Sequence, residues 1–311
     1  MHPPSGHLPS LRTATLALHP DPMPHVSVTD EVLDAYVNRP LASHLVRWVA
    51  RYPSITPNTL TALSALFGTL AGVGLVVAPA VGAVCLFLCM VVDCSDGQLA
   101  RQRGGGTVAG RIWDGYADYW VAFAVHLGML LSLIRMGVTF FGHRLSSFEL
   151  FFFVLAAGVS MAVNAGHFDY EKQRYLAHTG ASREPESPEL YLRAAQASQS
   201  RVERVLLVLF ARYVAAQVGR TAEDAIRDAR FTASDARRVE KFRSENDRLV
   251  RMWSLSGPTM HSALIAAAAL IHWAQNASFV AYCLFAIVAV NGYGLVLRVI
   301  QHLARSRHEV H

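Results

Sequence analysis

Four aspartates in residues 93–118 are the side chains best suited to chemistry. Asp93 and Asp96 are three residues apart and Asp114 and Asp118 are four apart, so each pair lies on one face of a helix. Two such helices facing one another would bring all four carboxylates together. Like charges this close favour protonation unless a cation neutralises them. Oxygen ligands without a neighbouring Cys/His pattern therefore predict Mg²⁺ or Mn²⁺.

Small residues and an arginine accompany the acids. Gly97 and Gly110 lack side chains, and Ala100 keeps the neighbouring surface small, so a planar ligand or a second helix can approach closely. A fixed cation at Arg101, beside a metal, suits a diphosphate. Glycines at 104–106 predict a flexible turn between the two helices.

The elements that carry these residues are predicted to lie in a membrane. Only 16% of the 311 residues are charged and 52% are hydrophobic, which is too little charge to cover a soluble surface. No Asp, Glu, Lys or Arg occurs between Arg51 and Asp93 or between Arg251 and Arg298. Each stretch exceeds 40 residues, twice the roughly 20 that cross a bilayer, so each predicts two helices.

Further spans are predicted at about 112–134 and 148–167, which gives an all-α polytopic membrane protein with six transmembrane helices. The tight turns of the two charge-free stretches are expected near Ala78-Pro79-Ala80 and Trp273-Ala274-Gln275-Asn276. The predicted organisation is a disordered tail (1–29), an amphipathic helix on the membrane surface (30–52), transmembrane helices 1–4 with the acidic motif (53–167), a helical cytoplasmic insertion (168–251), transmembrane helices 5 and 6 (252–300) and a C-terminal tail (301–311).

The distribution of basic residues predicts the orientation. With six spans, 26 of the 28 Lys and Arg residues fall on one side, and only Arg135 and Arg144 fall on the other. Because cytoplasmic loops retain basic residues, both termini and the acidic motif are expected to face the cytoplasm. The expected location is the inner or plasma membrane.

The two polar regions that flank the spans have helical character. Residues 30–50 alternate apolar and basic side chains at helical spacing, which predicts an interfacial helix or, alternatively, a helix packed on the insertion. In the insertion, Val202–Val214 contains an apolar stripe suited to the bilayer or a partner helix. No aromatic-interleaved basic stripe supports nucleic-acid binding.

The spacing of the motif resembles a known family. Asp93-x2-Asp96-Gly97-x2-Ala100-Arg101-x8-Gly110-x3-Asp114-x3-Asp118 is similar to the full signature of the CDP-alcohol phosphatidyltransferases, with all eight fixed positions matched. Thr56-Pro57-Asn58 resembles the family's entry to its first helix. The likeness extends over about residues 40–300.

The resemblance implies a role for each matched residue. Asp93, Asp96 and Asp114 would ligate the metal, and Asp118 would be the general base. The donor, a CDP-linked alcohol or lipid, would contact a second set of residues: Asn58, Gly97, Ala100, Arg101 and Gly110. An acceptor hydroxyl would then attack the donor phosphorus with release of CMP. The resemblance also implies a homodimer.

The chain departs from the family pattern in the long insertion between spans four and five. We expect acceptor selection or an added regulatory role to differ with it, and polar residues at its ends and beside the motif are acceptor-site candidates: Arg111, Asn164, His167, Arg251 and His261. Each also suits an interfacial anchor or a helix–helix hydrogen bond.

The predicted function is a membrane-embedded phosphotransferase of phospholipid synthesis. Either CDP-diacylglycerol donates to a soluble alcohol, or a CDP-linked headgroup such as CDP-inositol donates to a lipid alcohol. A secondary transporter with intramembrane acids is the alternative from another class, but its acids are expected near the midplane, in repeated halves. An inactive scaffold built on the insertion is a third hypothesis.

Overall fold

A computed structural model of the chain shows an almost entirely helical protein. It describes residues 27–105, 108–140, 142–181, 188–198, 201–218, 228–229, 231–271 and 275–308. The helices are α1 (Arg39–Val49), α2 (Pro57–Val77), α3 (Pro79–Gln102), α4 (Val108–Met136), α5 (Ser147–His178), α6 (Pro188–Ala197), α7 (Arg201–Val218), α8 (Ala236–Trp253), α9 (Pro258–Leu270), α10 (Gln275–Leu284) and α11 (Asn291–His308). Two-residue strands, β1 (Thr139–Phe140) and β2 (His143–Arg144), form a hairpin between α4 and α5.

Five helices in the described residues are long and apolar enough to cross a membrane, which confirms an all-α polytopic protein. They are α2, α3, the Gly110–Met136 part of α4, α5, and a continuous helix over Ala277–Leu303 that includes α10, a π-helical segment at Phe285–Val290 and α11. The predicted fifth span corresponds to α9, which has only 13 residues. It is shorter because α8 continues to Trp253, a 3₁₀ turn follows at Ser254–Ser256, and Pro258 occupies the first turn of α9.

Helix α2 packs along both α3 and α4, and its glycines allow the backbones to touch. A Cβ on Gly128 of α4 would overlap the carbonyl oxygen of Gly72, and a Cβ on Gly72 would overlap that of Ala124. Gly74 and Gly82 form a similar contact between α2 and α3, across the predicted turn at Ala78. Such close approach strengthens van der Waals packing, which holds helices together in lipid.

The main apolar core lies between the spans. Its buried side chains come from α2, α3, α4, α5, α9 and α10, and include Leu75, Leu86, Met129, Ile265 and Phe279. Many large apolar side chains on the outer faces of the same helices are exposed, as expected for residues that face lipid.

The segment before the first span packs on the transmembrane helices rather than on the insertion. A π-helical turn at Asp34–Asn38 continues into α1, whose Val46 and Val49 are buried in a cluster with Leu60, Val92 and Leu99. The opposite face exposes apolar side chains, which suits the predicted interfacial position: Tyr36, Leu41 and Trp48.

Glu31 joins this segment to the start of α9. Its Oε2 atom accepts hydrogen bonds from the backbone N–H groups of Thr259 (3.1 Å) and Met260 (3.4 Å). Burial raises the pKa of Glu31 to about 8, so the carboxyl group is largely neutral at pH 7. The contact satisfies two donors that the first turn of a helix leaves unpaired.

The insertion is helical where the structure describes it. α6 and α7 pack against each other and on the first turns of α4, whereas α8 runs beside the end of α5. Tyr175 donates a hydrogen bond to Asp247 (2.6 Å), and the His178 ring stacks on Phe242 at 4.4 Å. The predicted tail at residues 1–26, part of the turn at 273–276 and the last residues, 309–311, lie outside the described residues.

The Gly72–Gly128 contact gives a test of the packing. Gly128→Val should lower the melting temperature and the yield of folded protein, because the clash is with backbone that cannot rotate away; overpacking of this kind costs about 1–3 kcal/mol. The control is Gly292→Ala on α11, where an added Cβ meets nothing within 4 Å. Equal melting temperatures for the wild type and Gly128→Val would contradict this packing.

Candidate active site

The four aspartates of the motif lie on α3 and α4, as their spacing predicts. Oxygen atoms of Asp93, Asp114 and Asp118 all lie within 4.8 Å of one another. Asp96 contacts Asp114 through its side chain. Asp96 is buried, Asp93 and Asp114 are half-buried, and Asp118 is exposed. Helices α3 and α4 therefore bring their two pairs of aspartates into one cluster.

The cluster suits a divalent cation. Mg²⁺ binds oxygen at about 2.1 Å, so two of its ligands lie at most about 4.2 Å apart, close to the spacing of these carboxylates. Three oxygens on two helices, with no sulfur or nitrogen ligand in this group, are typical of a hard ion. The three aspartates whose oxygens lie within 4.8 Å of one another include Asp118 but not Asp96. The family resemblance instead implies Asp93, Asp96 and Asp114 as the metal ligands.

Helix α2 holds Asp96 from the side. The Thr61 hydroxyl donates a 2.5 Å hydrogen bond to Asp96 Oδ2. At the start of α2, Thr56 and Thr59 form a reciprocal capping box, with Pro57 in the first turn. Asn58, predicted to bind the donor, follows on the exposed surface of this turn.

The predicted diphosphate residues lie together on α3. A Cβ on Gly97 would come within 3.4 Å of Arg101 Nη1, so the guanidinium covers the glycine one turn back. After α3, Gly104 and Gly105 adopt φ values of +96° and +112°, which glycine favours. Arg103 fixes this turn by donating to the carbonyl oxygens of Ile55 (2.6 Å) and Tyr52 (3.2 Å).

A fifth carboxylate approaches from the N-terminal segment. Asp34 accepts hydrogen bonds from Asn38 (2.8 Å) and from the Thr259 hydroxyl (3.1 Å). Its Oδ1 atom also lies 3.7 Å from the thiol of Cys94, the neighbour of Asp93. Asp34 thus links the N-terminal segment, α3 and α9 beside the cluster.

The five acceptor candidates do not form one group. Asn164 is buried on α5, and the His167 ring lies 5.8 Å from that of Trp253. Arg111 is on the exposed surface of α4, where its charge acts on Asp114. Arg251 is exposed near the end of α8. His261 is buried on α9, and its Nδ1 atom lies 3.3 Å from the Tyr282 hydroxyl.

Polar atoms without a hydrogen-bond partner concentrate near Asn164. Of the five such buried atoms in the described residues, four lie on the neighbouring helices α5, α8 and α11: Asn164 Oδ1, Trp253 Nε1, Arg298 Nε and Gln301 Nε2. Asn164 Oδ1 and Arg298 Nη2 both lie within 4 Å of the Cβ position of Gly294. Because buried polar groups are normally paired, this concentration indicates a place for a polar ligand or ordered water.

Sequence reasoning missed Thr61, Asp34 and Arg298. Thr61 is a polar residue inside a charge-free stretch, and Arg298 is the first charged residue after the second such stretch. Both positions could therefore have been identified from the sequence as candidate polar contacts. Nothing in the sequence pairs Asp34 with Cys94, because that contact joins residues 60 positions apart.

Comparison with known families gives one match. Residues 54–183 match the model of a family described as CDP-alcohol phosphatidyltransferase. The matched segment includes α2, α3, α4 and α5 and therefore every position of the 93–118 motif. Comparison with curated proteins and with solved structures gave no match.

Thr61 provides a test of the cluster. Thr61→Val keeps the shape of the side chain but removes the hydroxyl that donates to Asp96. We expect weaker Mn²⁺ binding, because a hydrogen bond to a charged group contributes about 1.5–3 kcal/mol. Calorimetric titration of the purified protein with Mn²⁺ measures the change. Thr69→Val, two turns further along α2, is the control, and equal Mn²⁺ affinity for both variants would argue against a role of Thr61 at the metal.

Proposed function

We propose that the aspartate cluster is the active site of a membrane-embedded CDP-alcohol phosphatidyltransferase, because the match of residues 54–183 to that family covers the helices that carry the cluster. The family transfers a phosphate-linked group from a CDP-alcohol to an alcohol acceptor. The observation that carries the proposal is the convergence of Asp93, Asp114 and Asp118 within 4.8 Å, in the half of α3 that also carries Arg101 and the adjoining half of α4. The product serves phospholipid synthesis.

The donor's cytidine and diphosphate bind along α3 and the start of α4. Arg101 holds the diphosphate, and the lack of bulky side chains at Gly97, Ala100 and Gly110 leaves room for the cytidine. Asn58, at the exposed start of α2, contacts the same nucleotide. The contact between the Arg101 guanidinium and Gly97 supports this arrangement, because it keeps the positive charge beside the surface that lacks side chains.

Asp93, Asp96 and Asp114 hold Mg²⁺ or Mn²⁺, and the metal supplies charge neutralisation for the diphosphate and the leaving CMP. Asp118 removes the proton of the acceptor hydroxyl as the oxygen attacks the donor phosphorus; the bond from that phosphorus to the bridging oxygen breaks, and CMP departs with the electron pair. Asp118 lies one helical turn after Asp114 on the same face of α4, which supports its role as a base beside the metal.

The acceptor's polar group binds where the unpaired polar atoms concentrate, beside Asn164 and His167. Arg298 adds a positive charge there, which suits a phosphorylated alcohol. Arg111, next to Asp114, faces the same substrate from α4. The roles of Arg251 and His261 at the acceptor site stay predictions. Arg251 is exposed, and His261 contacts Tyr282.

The protein is an integral membrane protein. We infer that the active site and both termini lie on the cytoplasmic side of the inner or plasma membrane, because most of the basic residues fall on that side. We also propose a homodimer, as the family resemblance implies. Protease digestion of a C-terminal tag in intact and opened cells tests the orientation, and the molecular mass in detergent tests the dimer.

A secondary transporter is the other candidate. All four acids lie in the halves of α3 and α4 nearest the Gly104–Gly105 turn, and they are not divided between repeated halves of the chain. This arrangement favours the transferase.

The reaction is tested by CMP release from purified protein with Mg²⁺ or Mn²⁺. One set of assays offers CDP-diacylglycerol with soluble alcohols, and another offers soluble CDP-alcohols, including CDP-inositol, with lipid alcohols. We expect metal-dependent CMP release with one pair, and Asn164→Ala should raise the KM of its acceptor more than that of its donor. Protein that neither binds CDP nor releases CMP would contradict the proposal.

Two carboxylate variants separate the base from the metal ligands. Asp118→Asn should lower kcat by about 10²–10⁴-fold, because it removes the general base, while metal-dependent CDP binding persists. Asp93→Asn should weaken the binding of Mn²⁺ and of CDP together. Kinetics and titration calorimetry on the same preparations measure both effects. Wild-type turnover of Asp118→Asn would remove it as the base, and unchanged donor affinity of Asp93→Asn would remove it as a ligand.

A further inference from the structure

An apolar slot of about 170 Å³ lies between the active-site helix α4 and helix α7 of the insertion. Its walls are Gly115, Tyr116 and Tyr119 on α4 and Leu209 and Phe210 on α7. Gly115 and Tyr119 directly follow Asp114 and Asp118 in the chain. The slot is comparable in size to an engineered apolar cavity of about 150 Å³ that binds benzene.

The insertion makes the slot. Leu207 and Ala211 of α7 pack with Tyr191 and Ala195 of α6 on Ile112 of α4. The Tyr116 hydroxyl donates to the carbonyl oxygen of Leu206 (3.3 Å), which fixes α7 at this height. A Cβ on Gly115 would lie 3.5 Å from the Phe210 ring, so a glycine at 115 leaves the floor of the slot open. Helices α6 and α7 lie outside the segment that matches the family.

The slot is continuous with the lipid-facing surface of α4. Tyr119, Trp120, Phe123 and Leu127 are exposed along the same membrane-spanning helix, and Leu209 is 50% exposed on the other wall. Gly115 lies within the first two turns of the span that begins at Gly110, beside the acids. An acyl chain in the membrane could therefore enter the slot while its headgroup lies at the aspartate cluster.

We propose that this slot binds an acyl chain of a lipid-linked CDP donor, so that the insertion forms part of the substrate site. The proposal rests on the proposed function and specifies its version in which the donor carries the lipid. The donor is favoured over a lipid acceptor because the unpaired polar atoms near Asn164 and Arg298 provide a separate place for a polar acceptor.

Photolabelling tests the proposal on the full-length protein in lipid nanodiscs. The first probe is CDP-diacylglycerol with a diazirine in one acyl chain, and the second is diacylglycerol with the same diazirine. We expect the CDP-linked probe to label peptides with Gly115–Tyr119 or Leu209–Phe210, and unlabelled CDP-diacylglycerol to suppress that label. Labelling of the slot by diacylglycerol alone, equal labelling by both probes, or no label in the slot would overturn the assignment.

A variant that fills the slot gives the kinetic counterpart. Leu209→Trp should raise the KM of CDP-diacylglycerol about tenfold, with the KM of the soluble acceptor unchanged; tenfold corresponds to about 1.4 kcal/mol. Leu192→Trp, an exposed leucine on α6 outside the slot, is the matched control. Equal donor KM values for the two variants would contradict the proposal.

Failure of this inference is distinguishable from failure of the proposed function. CMP release without label in the slot supports the transferase function and rules out the slot as the acyl-chain site. Competed label in the slot without CMP release from any tested pair supports the lipid assignment, and the transferase then requires an acceptor outside the tested set. The label on the wild-type protein decides the question even if Leu209→Trp does not fold.

Discussion

The mutual repulsion of clustered carboxylates is the physical constraint on which the rest of the structure depends. Three carboxylates lie within 4.8 Å of one another inside two membrane-spanning helices, where charge is costly. Helix α2 holds the helices at this separation through backbone contacts at Gly72, Gly74, Gly82 and Gly128. The hydroxyl of Thr61 on the same helix supports Asp96, so packing and polar contacts together resist the repulsion.

The family signature and the membrane class could be predicted from the sequence because both depend on local spacing. Residues three or four apart share a helix face wherever the helix lies, and the length of a charge-free stretch limits how many times it can cross a bilayer. The motif therefore predicted the convergence of Asp93 and Asp96 with Asp114 and Asp118. The tight turn at Ala78 was confirmed for the same reason.

Features that depend on contacts between distant residues could not be predicted. The start of α9 at Pro258 is fixed partly by Glu31, more than 200 residues away, and this helix is shorter than the predicted span. The docking of α6 and α7 on α4 follows from shape complementarity at Ile112 and Tyr116, which no periodicity encodes. Arg298 was missed because its neighbours Asn164 and His167 come from another helix, α5, more than 130 residues away.

A structure determined with Mn²⁺ and CDP is the decisive test of the metal site, because anomalous scattering identifies the metal independently of activity. We expect an anomalous peak between α3 and α4, in contact with the carboxylates of Asp93 and Asp114, and the CDP diphosphate beside Arg101. CDP bound without metal at the aspartates, or a metal peak elsewhere on the protein, would contradict it.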